Sequence, residues 1–395
     1  MISHHKRNAL ILALLLISCI SCSSSSSQLG HELPTSVPSE TYLQIHEIDP
    51  EGSLAIIEVA GSYEEIGLLL GEWYLDHGFS PRLLSEEEKE DAESIITFYE
   101  TVDPFIVDQL RGMYAAFGLE FDDLQEGIQV AENENVEILL PGIISDHSCS
   151  VVFARPEITT DNHPLLGRNY DFPEEIHDLT LLFTFPEGGY PTAILTPRYP
   201  GLAAADGINS QGLALGFASV ADVGYDPPSG DALISSLAYR YVLEHSADVG
   251  EAIELLRTIP IVFVPSSPEG TITHLLLADK SGDSAVVEFL PEGVIASKSE
   301  KPFQVMTNNL WVDSEERESC QRYCIAVDLL ERGSGNINSL SVMSILSELR
   351  GSTQYSVVYD LHDLSLRLSL PKSDFSEEHD FSLINFMDQM ERRME

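Results

Sequence analysis

Cys149-Ser150-Val151-Val152-Phe153-Ala154-Arg155 and, beyond the turn residues Thr159-Thr160-Asp161-Asn162, Gly167-Arg168-Asn169-Tyr170-Asp171-Phe172 form the stretch that decides the fold. The first run is apolar, contains β-branched and aromatic residues and is bounded by turn formers, which predicts a buried strand. The second predicts its hairpin partner. A thiol then heads one strand, with an arginine and an aspartate on the other. A cation favours the thiolate and a carboxylate can orient a base, so the pair predicts a nucleophilic cysteine. Arg168 and Asp171 are three positions apart, however, and on an ideal strand they leave opposite faces. Both reach one site only if the strand ends or bulges there. On residue type alone, the Gly-Arg-Asn-Tyr-Asp run reads equally well as a strand end with a surface ion pair.

Working outward, the chain has 395 residues, 43% hydrophobic and 22% charged, a composition that builds a folded globular protein. The formal charge of −43 would repel phosphate backbones and anionic headgroups, which excludes nucleic acid as a partner. At the start, Lys6 and Arg7 precede the apolar run Ala9–Ile17, too short to span a bilayer. Leu16-Ile17-Ser18-Cys19 resembles a bacterial lipobox, so residues 1–22 are expected to be a lipoprotein signal peptide with Cys19 lipidated; a plain secretory signal cut near Ser21 or Ser23 is the alternative. Residues 23–45, rich in Ser and Pro, read as a tether. The expected location is the bacterial cell envelope, outside the cytoplasm and anchored at the membrane surface.

Residues 46–148 read as a largely helical segment, with a capping box at Ser85 and Glu88 and a helix from Pro104 to Phe117 stopped by Gly118. From Cys149 to residue 395 the pattern changes to short strands interleaved with helices. Thr180–Phe185, Thr192–Thr196, Leu213–Val220, Thr271–Ala278, Ser284–Leu290, Phe303–Thr307, Gln354–Asp360 and Ser365–Ser369 are strand candidates. Helices are expected near Ala232–His245, Gly250–Arg257, Glu318–Glu331 and Ser341–Leu349. Sheets packed together with helices outside follow from this order. Cys320 and Cys324, four apart on an expected helix, read as core-facing thiols, and no CxxC or His pair accompanies them to make a zinc site.

A cysteine in mid-chain becomes a terminus if the bond before it breaks. Cys149 could attack the Ser148 carbonyl, take the acyl group on sulfur and leave water to release the preceding piece. The α-amino group so formed has an ordinary pKa of about 7.7–8.0, suited to a general base at neutral pH. Thiol and base then belong to one residue.

The residues around this junction resemble the cysteine N-terminal-nucleophile hydrolases, specifically the acyl-CoA:isopenicillin N acyltransferase-like family, and more distantly the choloylglycine hydrolases and acid ceramidases. The resemblance runs over roughly residues 48–370. It is carried by Gly61-Ser62-Tyr63-Glu64-Glu65-Ile66-Gly67, Leu110-Arg111-Gly112-Met113, Cys149-Ser150, Gly167 to Asp171, Gly207-Ile208-Asn209-Ser210-Gln211-Gly212-Leu213, Thr307-Asn308-Asn309 and Ser319-Cys320-Gln321-Arg322, in that order. It implies a four-layer αββα sandwich of α+β class, cut into an N-terminal α fragment and a C-terminal β fragment that stay associated. It also implies roles. Cys149 would be nucleophile and base, Asp171 would orient its amine, and Arg168 would stabilise the thiolate. Asn308 would donate to the oxyanion, a contribution worth about 3–4 kcal/mol in comparable holes, and Arg322 would close the network. Two departures stand out: Ser148 replaces a common glycine, and Ser219 stands where bile-salt hydrolases have an asparagine. Asn308 beside Asn309 is equally compatible with turn chemistry, Asn209 reads as a turn residue, and Arg322 near Glu316 and Glu318 could be a solvated salt-bridge partner.

The function expected is an autoprocessing amidohydrolase, or acyltransferase, acting on a linear non-peptide amide through an acyl-cysteine, with no metal or organic cofactor. A cysteine peptidase with His147 or His163 as base and a non-catalytic binding lipoprotein are the alternatives.

Overall fold

The structure is a computed structural model. It describes residues 41–47, 54–76, 96–119, 149–172, 179–197, 204–226, 232–263, 271–371 and 377–394. The leader with Cys19, most of the tether, the capping-box helix start at Ser85, and Ser148 with His147 all lie outside the described residues.

Strands β1 (Tyr42–Glu47), β2 (Leu54–Gly61), β5 (Leu179–Pro186), β6 (Thr192–Pro197), β7 (Asp206–Asn209), β8 (Ala214–Ala221), β11 (Thr271–Ala278), β12 (Ser284–Leu290) and β13 (Gly293–Ser297) form one sheet in the order 1-2-5-6-7-8-11-12-13. Strands β3 (Ser150–Ala154), β4 (Leu165–Asp171), β14 (Phe303–Met306), β15 (Thr353–Asp360), β16 (Ser365–Ser369) and β17 (Glu378–Ser382) form the second, in the order 14-3-4-15-16-17. Two-residue strands β9 (Leu233–Ile234) and β10 (Ile261–Val262) pair separately in parallel.

The sheets face each other across one apolar core. Alternation along β3 sends Val151 and Phe153 inward, on the side of Leu181, Phe183 and Gly216 of the opposite sheet. Val152 and Ala154 point outward, under Leu330, Val342 and Leu346 of helices α6 (Gln321–Gly333) and α7 (Ser339–Glu348). The other outer face is covered by α1 (Tyr63–Asp76) and α2 (Pro104–Ala116) over Ile57, Val59 and Leu182. Helices α3 (Ser235–His245) and α4 (Val249–Thr258) cover its β7–β13 end. A short helix α5 (Ser314–Ser319) precedes α6, and α8 (Leu383–Met394) packs Phe386 on Phe183 and Phe185. Helix, sheet, sheet, helix is the αββα sandwich.

The segment before Cys149 corrects one expectation. Its described residues are helical over 63–76, 96–102 and 104–116, but residues 42–47, which begin inside the expected tether, and 54–61 form an antiparallel strand pair, and β2 runs parallel to β5 from Leu54↔Leu179 to Gly61↔Pro186. Leu54 to Gly61 is apolar but for Glu58, a pattern that suits a strand buried on both faces as well as a helix. α2 keeps its expected start and stop: the Asp103 carboxylate accepts from the Phe105 N–H at 3.0 Å, and Gly118 sits at φ +70°. α1 and α2 cross so closely that a Cβ on Gly67 would lie 2.0 Å from the Gln109 carbonyl oxygen. One on Gly112 would lie 1.8 Å from that of Glu64. The glycines of the Gly61–Gly67 and Leu110–Met113 motifs that meet at this crossing are therefore packing glycines.

The thiols give a second correction. Cys320 is half-buried at the head of α6 and Cys324 is exposed, so neither faces the core.

Candidate active site

β3 and β4 pair with Ser150 opposite Asn169 and Val151 opposite Arg168, so Arg168 and the inward residues of β3 share a face. Cys149, two before Val151, continues that face and is buried at the head of β3. The demand that β4 end or bulge at Asp171 is met twice over. β4 ends at Asp171, and its partner β15 shifts register there, pairing Thr353 with Asp171 and Tyr355 with Tyr170. Gln354 is the extra residue. Past that point strict alternation no longer fixes where the Asp171 side chain leaves the strand, and its charge acts on the thiol. The Cys149 Sγ lies 3.7 Å from the Asp171 carbonyl oxygen. β3 also pairs with β14, Val151 opposite Met306, and continuing this register sets Asn308 beside Cys149.

Arg322 ties these pieces together. Its Nη1 donates to the Cys149 carbonyl at 2.6 Å and to Ser150 Oγ at 2.9 Å, and its Nη2 donates to Asn308 Oδ1 at 3.0 Å. Asn308 in turn donates from Nδ2 to the Ser219 carbonyl at 2.9 Å. An amide nitrogen has two hydrogens, and the second is left for a ligand. Ser219 thus enters the site through its backbone, at the position where the resemblance led to an asparagine side chain.

Arg168 is fully buried and pairs with Asp206 of β7, the residue just before the Gly207–Leu213 motif and one that sequence reasoning did not single out. The same Nη1 donates to the Ala205 carbonyl at 3.3 Å and Tyr355 Oη at 3.0 Å, while the hydroxyls of Tyr355 and Tyr359 donate to Asp206. Its guanidinium carbon sits 4.5 Å from the ring centre of Phe217 and 4.9 Å from that of Tyr170. The arginine has room because β8 carries a glycine opposite it: a Cβ on Gly216 would stand 3.1 Å from Arg168 Cδ. Asp206 and Gly216 are paired across β7 and β8, so one register places both the counter-ion and the gap. Nε and Nη2 of Arg168 have no hydrogen-bond partner among the described residues. Neither has Asp171 Oδ2, although its Oδ1 accepts from the Thr353 hydroxyl.

These burials set the titrations. Desolvation raises the Cys149 thiol, opposed by the charge of Arg168 and reinforced by that of Asp171. Desolvation also raises Asp171 to about 6, against the Thr353 hydroxyl bond, the charge of Arg322, the Gly351 N–H and the charge of Arg168. Burial thus favours the neutral thiol at Cys149 and the protonated carboxyl at Asp171.

The other residues singled out fall elsewhere. Asn209 is buried and saturated: Nδ2 donates to the Leu243 and Ser246 carbonyls, and Oδ1 accepts from the Gln211 and Leu213 N–H groups. That makes it the keystone of the β7–β8 turn. His163 precedes β4 at the end of the hairpin remote from Cys149 and bonds Asp360 at 3.0 Å. With His362 and Asp363 it forms a cluster whose ligand atoms lie within 4.8 Å of one another. The two rings stack at 4.1 Å with 21° between planes, which sets their lone pairs side by side and not toward one point.

The described residues thus give a face-to-face pair of sheets with helices outside and a buried thiol at the head of a central strand, an α+β arrangement of αββα type. A family described as acyl-coenzyme A:6-aminopenicillanic acid acyl-transferase matches residues 158–336, the stretch that contains Arg168, Asp171, Asn308 and Arg322 but not Cys149. The chain is a relative of that family over this central stretch. It is 28% identical over 181 residues to a penicillin V acylase of Pectobacterium atrosepticum, covering 39% of this chain and 47% of the relative. It thus spans about half the length of that curated relative. Among solved structures it is similar to penicillin V acylase from Agrobacterium tumefaciens, at 20% identity and TM-score 0.45 over 56% of this chain and 83% of the other. It is also similar to a mutant of conjugated bile acid hydrolase from Clostridium perfringens, at 17% identity and TM-score 0.48 over 60% and 93%.

Proposed function

We propose that the chain is a self-cleaving cysteine amidohydrolase in which Cys149 becomes the N-terminal residue. The observation that carries this reading is the orphaned Oδ2 of Asp171, a buried carboxylate oxygen whose residue accepts from the Cys149 thiol through its carbonyl. A buried carboxylate oxygen left without a hydrogen bond of its own is costly and persists where something else compensates for it. An α-ammonium group at Cys149 is such a partner, and it exists only after the Ser148–Cys149 bond has broken.

In the maturation step the Cys149 sulfur attacks the Ser148 carbonyl carbon. The carbon–nitrogen bond breaks, a thioester forms, and the thiol proton passes to the departing nitrogen, which becomes the α-amine. Water then hydrolyses the thioester, returning the thiol and leaving Ser148 with a carboxylate. In turnover the α-amine takes the thiol proton and sulfur attacks the substrate carbonyl. The second Nδ2 hydrogen of Asn308 stabilises the oxyanion, and the ammonium protonates the leaving amine. Water clears the acyl-cysteine by the reverse use of the same groups. Arg168, held by Asp206, supplies the fixed positive charge that favours thiolate.

The substrate class proposed is a linear non-peptide amide, with hydrolysis favoured over acyl transfer because acyl-CoA is scarce outside the cytoplasm. The leader pattern supports attachment to the cell envelope through Cys19, which radiolabelled palmitate incorporation and its loss in Cys19→Ala would test. Penicillin V and a series of N-acyl amides test the activity itself. Cys149→Ala should abolish hydrolysis; retained hydrolysis would refute the reading. His163, at the far end of the hairpin, gives no support to a Cys-His peptidase.

A further inference from the structure

Two buried residues outside the described site reach into it from the opposite sheet. His274 on β11 and Glu288 on β12 are both fully buried between the sheets. The register Leu275↔Val287, carried one pair further, sets them side by side. His274 Nε2 lies 2.7 Å from the Thr307 carbonyl oxygen, and since a carbonyl only accepts, that nitrogen donates. Its Nδ1 faces Glu288 Oε1 at 3.4 Å. Glu288 Oε1 accepts the Trp311 N–H at 2.6 Å, and Oε2 accepts the Val312 N–H at 2.9 Å. The main chain from 307 to 312 is thereby gripped at both ends by side chains of the other sheet, and Asn308 lies between the grips. Its Nδ2 bonds the Ser219 carbonyl on β8, the neighbour of β11, so one wall of strands fixes both the loop and the amide.

A carboxylate and an imidazole are an expensive way to fill an inter-sheet core, because apolar residues of the same volume commonly hold a sandwich as well or better. What they supply is direction: three main-chain polar groups fixed on a segment that has left β14 and not yet entered α5. We infer that His274 and Glu288 are positioning residues that set the Asn308 amide for the oxyanion, acting through the backbone of residues 307–312. The inference rests on the reading of Asn308 as oxyanion donor.

The test compares Glu288→Gln, His274→Leu, His274→Gln and Asn308→Ala, each checked for folding by gel filtration. Glu288→Gln puts an N–H against an N–H, and His274→Leu removes the donor to Thr307; His274→Gln keeps a donor. Expected is a fall in kcat of about 100-fold for Glu288→Gln and His274→Leu, on penicillin V or whichever N-acyl amide the wild type cleaves, with KM within about twofold. His274→Gln should recover most of it, and adding Asn308→Ala to Glu288→Gln should cost little more. Alkylation of Cys149 by iodoacetamide needs no oxyanion and should keep its wild-type rate. Wild-type kcat in folded Glu288→Gln, or losses that multiply in the double variant, would overturn the inference. Trp311 reports the grip independently: in a Trp73→Phe background its emission should shift in Glu288→Gln, and unchanged emission removes the grip whether or not any amide is hydrolysed. A wild type that alkylates at Cys149 yet cleaves no amide refutes the proposed function and with it the catalytic part of this inference, even if Trp311 shifts.

Discussion

Asp171 is the residue on which chemistry and stability meet. Its carboxyl is raised above the ordinary value of 3.8 to about 6, so the fold prefers the protonated form. Stability from this group is present below pH 4 and lost as pH rises through 6, and at pH 7 the charge costs about 3 kcal/mol. In a Cys149→Ala background, which the proposed self-cleavage could not process, Asp171→Asn should therefore raise stability by about 2–3 kcal/mol at pH 7 and leave it unchanged at pH 4, as read by urea denaturation. Equal stabilisation at both pH values would show that ionisation of Asp171 is not what strains the fold. Removing the Asp206 side chain should instead destabilise the fold. It is the buried counter-ion of Arg168, and Asp206→Ala should cost about 3–5 kcal/mol because it strands the guanidinium. Cys149, Arg168 and Asp171 were legible because they crowd into one hairpin. Asp206 was not, since it sits among Ala205, Gly207 and Asn209 and meets Arg168 only when β7 of the other sheet is laid over β4.

At the scale of elements, hairpins were readable and long-range pairings were not. β11 and β12 fall where alternation and the Asp279–Asp283 turn place them, and β16 likewise. β1 and β2 escaped because β2 finds its partner β5 more than a hundred residues later, on the far side of the proposed cleavage point. β7 was hidden by its turn-forming composition, and β17 with α8 gave no pattern strong enough to assign. The bulge opposite Asp171 could be demanded from the three-residue spacing but not located, because it is β15 that bulges. The glycines at the α1–α2 crossing carry a prediction of their own. Gly112→Ala would drive a Cβ into the Glu64 backbone, which no rotamer change relieves, so the variant should lose at least about 1–3 kcal/mol in urea denaturation. A loss under about 0.5 kcal/mol, the scatter of ordinary surface substitutions, would mean that the helices part at little cost.

For the whole molecule, the segment before Cys149 is built into the fold and does not hang from it. β1 and β2 complete the nine-stranded sheet, and Tyr63 donates to the buried Glu244 at 3.1 Å. Tyr241 donates to the Val102 carbonyl at 3.1 Å, and Gln389 of the last helix reaches Tyr42 at 2.6 Å. A cut at the Ser148–Cys149 bond should therefore leave two pieces that co-elute in native gel filtration and part only in denaturant; separation in buffer would contradict that. The central claim is tested most directly by intact-mass measurement of denatured wild-type protein beside Cys149→Ala. Wild type should give two fragments whose masses place the break between Ser148 and Cys149, and Cys149→Ala a single chain. One uncut wild-type chain would contradict it.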